Sequence, residues 1–118
     1  MAAKDLLGRR GEELAATFLT EAGYLVVDRN WRCGQGEIDI VAVDGAETVF
    51  VEVKTRSSVA YGHPFEAITA QKLARLRRLA AAWCADHPGD HRRIRIDAIS
   101  VIVPPNGTPQ IDHLARVF

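Results

Sequence analysis

Two short runs on either side of Asp44-Gly45-Ala46-Glu47 constrain the fold of this chain more than any other feature. Residues 36–43 read Gly-Glu-Ile-Asp-Ile-Val-Ala-Val, and residues 48–54 read Thr-Val-Phe-Val-Glu-Val-Lys. Both have strand length and β-branched composition, and so short a turn joins strands only as an antiparallel hairpin. A two-residue Gly45-Ala46 loop, glycine first, suits a type II′ turn. Opposed residues then have numbers that sum to 91, which sets Asp39 opposite Glu52, Val41 opposite Phe50 and Glu37 opposite Lys54. The other face pairs Ile38 with Val53, Ile40 with Val51 and Ala42 with Val49, and is wholly apolar. If the loop is Asp44-Gly45, Asp39 faces Phe50 instead. Because the side-chain period is 2, Asp39, Glu52 and Lys54 share a face in either register.

Charge is unusual in such strands, since an unpaired charge out of water is costly. A solvated face bearing a Glu–Lys ion pair is one explanation. It does not fit Val41, Val43 and Phe50, which lie on the same face and need cover. Two carboxylates and a lysine on a half-covered sheet read instead as a divalent-metal site directed at phosphate.

The 118 residues are expected to form one domain, residues 1–118, with 47% hydrophobic and 25% charged residues, as in soluble globular proteins. No apolar run is long enough to cross a bilayer, and Met1 to Asp5 lack the apolar stretch of a signal peptide. Cys33 and Cys84 make no zinc pattern and read as free thiols of a reducing compartment, so a cytoplasmic location is expected. A net charge of zero argues against a strongly basic protein that coats nucleic acid. Residues 1–52 nevertheless carry 5 Lys/Arg and 10 Asp/Glu, and residues 53–118 carry 10 and 5. An acidic half for a cation and a basic half for phosphates suit metal-dependent work on nucleic acid.

Around the hairpin, residues 5–22 read as an amphipathic helix through Leu7, Leu14, Ala15, Phe18 and Leu19, stopped by Gly23. Residues 24–31 read as a strand, and residues 55–64 as a polar loop. Residues 65–86 read as one long helix with Leu73, Leu76, Ala80, Trp83 and Cys84 on its apolar face. Residues 92–103 contain a strand, and residues 110–114 a short last one. The order αβββαββ predicts an α/β architecture, a mixed sheet flanked by helices.

Several segments in this order resemble the restriction-endonuclease-like PD-(D/E)xK superfamily: Gly8 to Ala15, Gly23-Tyr24, Asn30-Trp31-Arg32, Gly36-Glu37-Ile38-Asp39 and Phe50 to Arg56. Within it they resemble the Holliday-junction-resolvase-like branch and, most specifically, the YraN-like family of endonuclease-like proteins. The resemblance covers nearly the whole chain and implies a restriction-endonuclease-like core. It implies that Asp39, Glu52 and, from the first helix, Glu12 ligate Mg2+ or Mn2+. It further implies that Lys54 activates water and stabilises charge on phosphate. Ile38 stands where the superfamily name has proline. Arg56 and Lys72 resemble auxiliary phosphate-contacting positions, and Arg75 and Arg78 add a basic helix face that suits nucleic-acid backbone.

The expected activity is therefore metal-dependent hydrolysis of phosphodiester bonds in DNA, branched or structured DNA included, with DNA favoured over RNA as partner. A nucleic-acid-binding protein of the same fold without robust catalysis is the alternative. Cutting two strands suits a homodimer. His87 and His91 are four apart, but Pro88-Gly89 breaks the helix that would align them as ligands. Trp31 and Trp83 read as core, and Asp97 as an ion-pair partner of its neighbouring arginines.

Overall fold

The computed structural model describes residues 3–60 and 62–117. Tyr61, in the expected 55–64 loop, and Met1 and Ala2 of the N-terminus lie outside the described residues. A five-stranded sheet in the order β1-β2-β3-β4-β5 forms the centre. Its strands are β1 (Leu25–Cys33), β2 (Gly36–Asp44), β3 (Glu47–Arg56), β4 (Ile94–Ile102) and β5 (Gln110–Leu114). The β3–β4 pair is parallel and the other three pairs are antiparallel. Helices α1 (Ala3–Glu21) and α2 (Ala70–Asp86) complete the αβββαββ order. Ala15 and Leu19 of α1 pack with Ile40, Ala42, Val49 and Val51 in one layer. Leu76, Leu79, Ala80 and Trp83 of α2 pack with Val41, Phe50 and Ile96 in the other. This is the mixed sheet flanked by helices that the sequence predicts, and it is consistent with a restriction-endonuclease-like core.

Local chemistry explains the element ends. Helix α1 stops where Gly23 adopts φ +96°, a left-handed conformation that glycine takes without strain. The Gly23 amide donates to Thr20 O (3.1 Å) and the Tyr24 amide to Leu19 O (2.9 Å), the paired bonds of a Schellman cap. The long helix expected over residues 65–86 is shorter. Pro64–Ala67 form a separate 3-10 turn, and α2 begins only after Thr69, whose hydroxyl accepts from the Lys72 amide at 3.2 Å. No helix among the described residues is long and apolar enough to cross a membrane.

The hairpin has the register of the Gly45-Ala46 loop: Asp44 faces Glu47, Val41 faces Phe50 and Ile40 faces Val51. Gly45 takes φ +61° in the turn. The ladder ends at Ile40–Val51, so the expected Asp39–Glu52, Ile38–Val53 and Glu37–Lys54 pairs do not form. Beyond that point β2 and β3 separate, and Asp39 Oδ2 accepts from the Val53 amide at 2.8 Å.

The expected alternation also breaks there. Ile40 packs on the α1 side, whereas Ile38 packs with Trp31 on the α2 side, although both are even-numbered. The cause lies in β1. Its pairing with β2 joins Arg29 to Ile40 and Trp31 to Ile38, and between them Asn30 takes φ +52°. A left-handed residue reverses the pleat, and asparagine tolerates that conformation better than most non-glycine residues. Asp39, across from Asn30, consequently turns toward α1 and away from the face of Val41 and Phe50. That corrects the expectation that Asp39, Glu52 and Lys54 share the Phe50 face.

Candidate metal centre

Helix α1 supplies one wall of the site. Gly11 lies so close to β3 that a β-carbon there would fall 1.8 Å from Thr55 Oγ1. Only glycine permits this approach, which fixes the next residue, Glu12, over the parted strands. Strand β2 supplies Glu37 and Asp39. One carboxylate oxygen from each of Glu12, Glu37 and Asp39 lies within 4.8 Å of the other two. Asn30 joins them: with its amide nitrogen facing the acids it donates to Glu12 Oε1 (2.7 Å) and Glu37 Oε1 (3.1 Å). Left-handed Asn30 thus both reverses the pleat and holds two of the carboxylates.

Acids this close raise one another's proton affinity. Burial and then the Glu52 carboxylate push the Asp39 carboxyl up to about 8, against the opposing hydrogen bond from Val53. Glu12 is also raised, first by burial and then by Glu37, with Arg29 pulling the other way. The donor set is all oxygen and anionic, the set that hard divalent cations take. A cation would neutralise the repulsion that now has to be met by protons.

Glu52 and Lys54 approach from β3. Lys54 Nζ lies 3.0 Å from Glu52 Oε1, and both side chains are largely covered, at 21% and 16% exposure. Val53 packs on the α1 side, so alternation gives Glu52 and Lys54 the parity of Phe50. Glu52 is outside the mutually close set of three acids but near enough to act on both Asp39 and Glu12. The site is therefore a fork: Glu12, Glu37 and Asp39 on one side, the Glu52–Lys54 pair on the other, with Asp39 bonded across it to Val53.

An open groove of about 800 Å3 leads to the acids, lined by residues that include Arg9, Glu12, Arg29, Asn30, Arg32 and Glu37. Arg29 Nη1 holds Glu13 Oε1 at 2.8 Å, and Arg32 Nε holds Glu37 Oε2 at 2.8 Å. The four basic residues expected to contact nucleic acid lie elsewhere. Arg56 is exposed at the end of β3, with Nη1 donating to Thr55 O (2.9 Å). Lys72, Arg75 and Arg78 belong to α2, and none of the four lines the groove. Sequence reasoning missed Glu37 as a member of the cluster and the groove arginines, although Asn30-Trp31-Arg32 and Gly8-Arg9 are among the segments that carry the resemblance. Their signal was proximity to Glu12 and Asp39, which only the pleat reversal brings about.

The other residues weighed from the sequence have structural partners. Trp83 is buried against Phe50, ring centroids 5.6 Å apart, and donates to Asp28 Oδ2 at 2.9 Å. His87 stacks on Trp83 (4.1 Å), and His91 Nε2 bonds the His87 carbonyl, so the two imidazoles do not converge as ligands.

Residues 11–101 match the sequence profile of the uncharacterised protein family UPF0102. A UPF0102 protein of Arthrobacter sp. (strain FB24) is 59% identical over 117 residues, covering 99% of both chains. One of Paenarthrobacter aurescens (strain TC1) is also 59% identical, over 99% of this chain and 97% of its own. One of Frankia alni is 49% identical over all of this chain and 98% of its own.

Proposed function

The chain belongs to the family UPF0102, and we propose that within it this protein is a Mg2+- or Mn2+-dependent nuclease of the PD-(D/E)xK type that hydrolyses phosphodiester bonds in DNA, branched or structured DNA included. The observation that carries this reading is the convergence of Glu12, Glu37 and Asp39 at the fork that ends in the Glu52–Lys54 pair. Asp39, Glu12 and Glu37 would hold the ion, with Glu52 beside them. When bound, the ion supplies Lewis acidity toward phosphate and water and offsets the charge that builds during hydrolysis.

The remaining roles fall to the protein's own groups. Asp39 is anchored through Oδ2 to the Val53 amide, which fixes its carboxylate beside those of Glu12 and Glu37. Lys54 is held at the fork by Glu52 of the same strand. In this reading it shares its charge with a phosphate and orients the attacking water. Ile40, Val51 and Val53, neighbours in sequence of Asp39 and Glu52, are buried in the core under α1; burial on that side lowers the local dielectric and strengthens these interactions.

The test is cleavage of labelled linear, single-stranded and four-way-junction DNA during titration with Mg2+ and Mn2+. Wild type should cut, and Asp39→Ala and Glu52→Ala should not, with circular dichroism unchanged. Cleavage that survives both substitutions overturns the proposal. A second reading, a nucleic-acid-binding protein without robust catalysis, draws support from the Glu52–Lys54 ion pair, which ties up Glu52 outside the acid set. Its signature is salt-sensitive binding with no turnover in either metal.

A further inference from the structure

The groove beside the acids contains arginines that the hydrolytic roles above leave unused. Its walls are α1, through Arg9 and Glu12, and β1, through Arg29 and Arg32. Among the described residues no aromatic ring lines it, and Asn30 is its one uncharged hydrogen-bonding side chain. A nucleic-acid strand lying there is met at its phosphates and not at its bases. Among the described residues the lining holds four acids and three arginines, so a bare phosphodiester is not favoured until a cation offsets the acids.

Glu37 is shared between two sets of partners. Its Oε2 takes Arg32 Nε at 2.8 Å, and the Arg32 side chain is 79% exposed. Its carboxylate also belongs to the set formed with Glu12 and Asp39. An exposed ion pair exchanges partners at little cost, whereas a guanidinium grips a phosphodiester by two charge-assisted hydrogen bonds. Arg29, in the same groove, is held by Glu13 through Nη1 at 2.8 Å, and its Nε is buried with no hydrogen-bond partner among the described residues.

We infer that Arg32 is a phosphate-binding residue of this groove, and that a nucleic-acid backbone, by taking Arg32, releases Glu37 to the metal. The inference rests on the nuclease reading and adds the regulation of its site: backbone and cation bind as a linked pair. Linkage is reciprocal, so each tightens the other by the same factor.

Calorimetric titration of Mn2+ into the protein tests this, alone and saturated with a short oligothymidylate whose linkages are phosphorothioates. The oligonucleotide should tighten Mn2+ by about fivefold or more in wild type, and a methylphosphonate oligothymidylate, which lacks backbone charge, should not. Arg32→Gln should bind Mn2+ more tightly than wild type without oligonucleotide, because Glu37 is free, and should lose the linkage. Arg32→Lys should recover part of it, and Glu37→Gln should lose it. If wild type binds Mn2+ but shows no linkage, or if Arg32→Gln keeps it, the inference is overturned while the nuclease reading stands. If wild type binds no Mn2+ with or without oligonucleotide, both fall.

Discussion

Asp39 and Asp97 are both strand aspartates on the α1 side of the sheet, and their surroundings are opposite. Asp97, on β4, is fully buried and fully served. Its Oδ1 accepts from Arg95 Nε (3.0 Å) and the Arg116 amide (3.0 Å), and its Oδ2 accepts from Arg95 Nη2 (3.2 Å) with His113 Nε2 at 2.7 Å. Arg95 in turn reaches Asp44 and Glu47 at 3.0 Å each. Burial alone would pull its pKa down, but these carboxylates outweigh it and leave the guanidinium more firmly charged than usual. Asp39 has one backbone amide and otherwise faces acids. The first arrangement is complete within the chain and spends its charges on holding β4, β5 and the β2–β3 turn together. The second is incomplete, and the fold retains it although protons must offset the repulsion. An acid cluster left short of cations, in a chain that serves the buried Asp97 so fully, is the mark of a site made for something from outside.

The sharpest way to break this comparison is to remove each aspartate. Asp97→Ala strands Arg95 without its main partner and should cost about 3–5 kcal/mol in urea unfolding, with no dependence on divalent metal. A loss below about 1 kcal/mol would mean that the network is ornamental. Asp39→Asn should do the reverse. In the metal-free protein the folded carboxyl sits at about 8 against an ordinary 3.8, so the folded state binds the extra proton. That stabilisation is fully present below about pH 4 and is lost as pH rises through about 8. Wild type should therefore lose stability across this window, and Asp39→Asn should flatten the slope. Mg2+ at about 100 times its Kd should return about 2.7 kcal/mol to wild type at pH 8 and leave Asp39→Asn unmoved; equal effects on the two proteins would sink the distinction.

Smaller effects sharpen it. Gly11→Ala drives a methyl group into Thr55 and should cost about 1–3 kcal/mol, lifting Glu12 from the cluster so that Mn2+ affinity falls as well. Asn30→Gly keeps the left-handed backbone and removes the amide that joins Glu12 to Glu37. Its stability should change by less than about 1 kcal/mol, while Mn2+ binding weakens roughly tenfold. Denaturation and calorimetry on the same preparations separate the two effects.

Much of this was legible in the sequence, and the reasons are physical. A two-residue turn fixes hairpin register, so the pairs from Asp44–Glu47 to Ile40–Val51 follow from Gly45-Ala46. Helical spacing identified the buried side of α2, though it missed Leu79, and Asp97 read correctly as a partner of arginine. The pleat reversal did not read, because a left-handed asparagine inside a strand leaves no mark on hydrophobic alternation until its neighbours are placed. With it were lost the role of Glu37, the true face of Asp39 and the groove arginines. The bulge between Val26 and Asp28 escaped for a similar reason: exposed Val27 looks like any strand valine. The break at Thr69 carried a legible capping signal that the apolar spacing across residues 65–86 obscured.

The reversal at Asn30 also decides how anything reaches the acids. A regular pleat would have sent Asp39 and Ile40 to opposite layers. Here they fall on the same side, so an acid and a fully buried isoleucine follow one another in the strand. The site has a dry back and a wet front. A solute reaches the acids along the groove between α1 and β1, past the Arg32 rim, while the next residue of β2 after Asp39 is the fully buried Ile40.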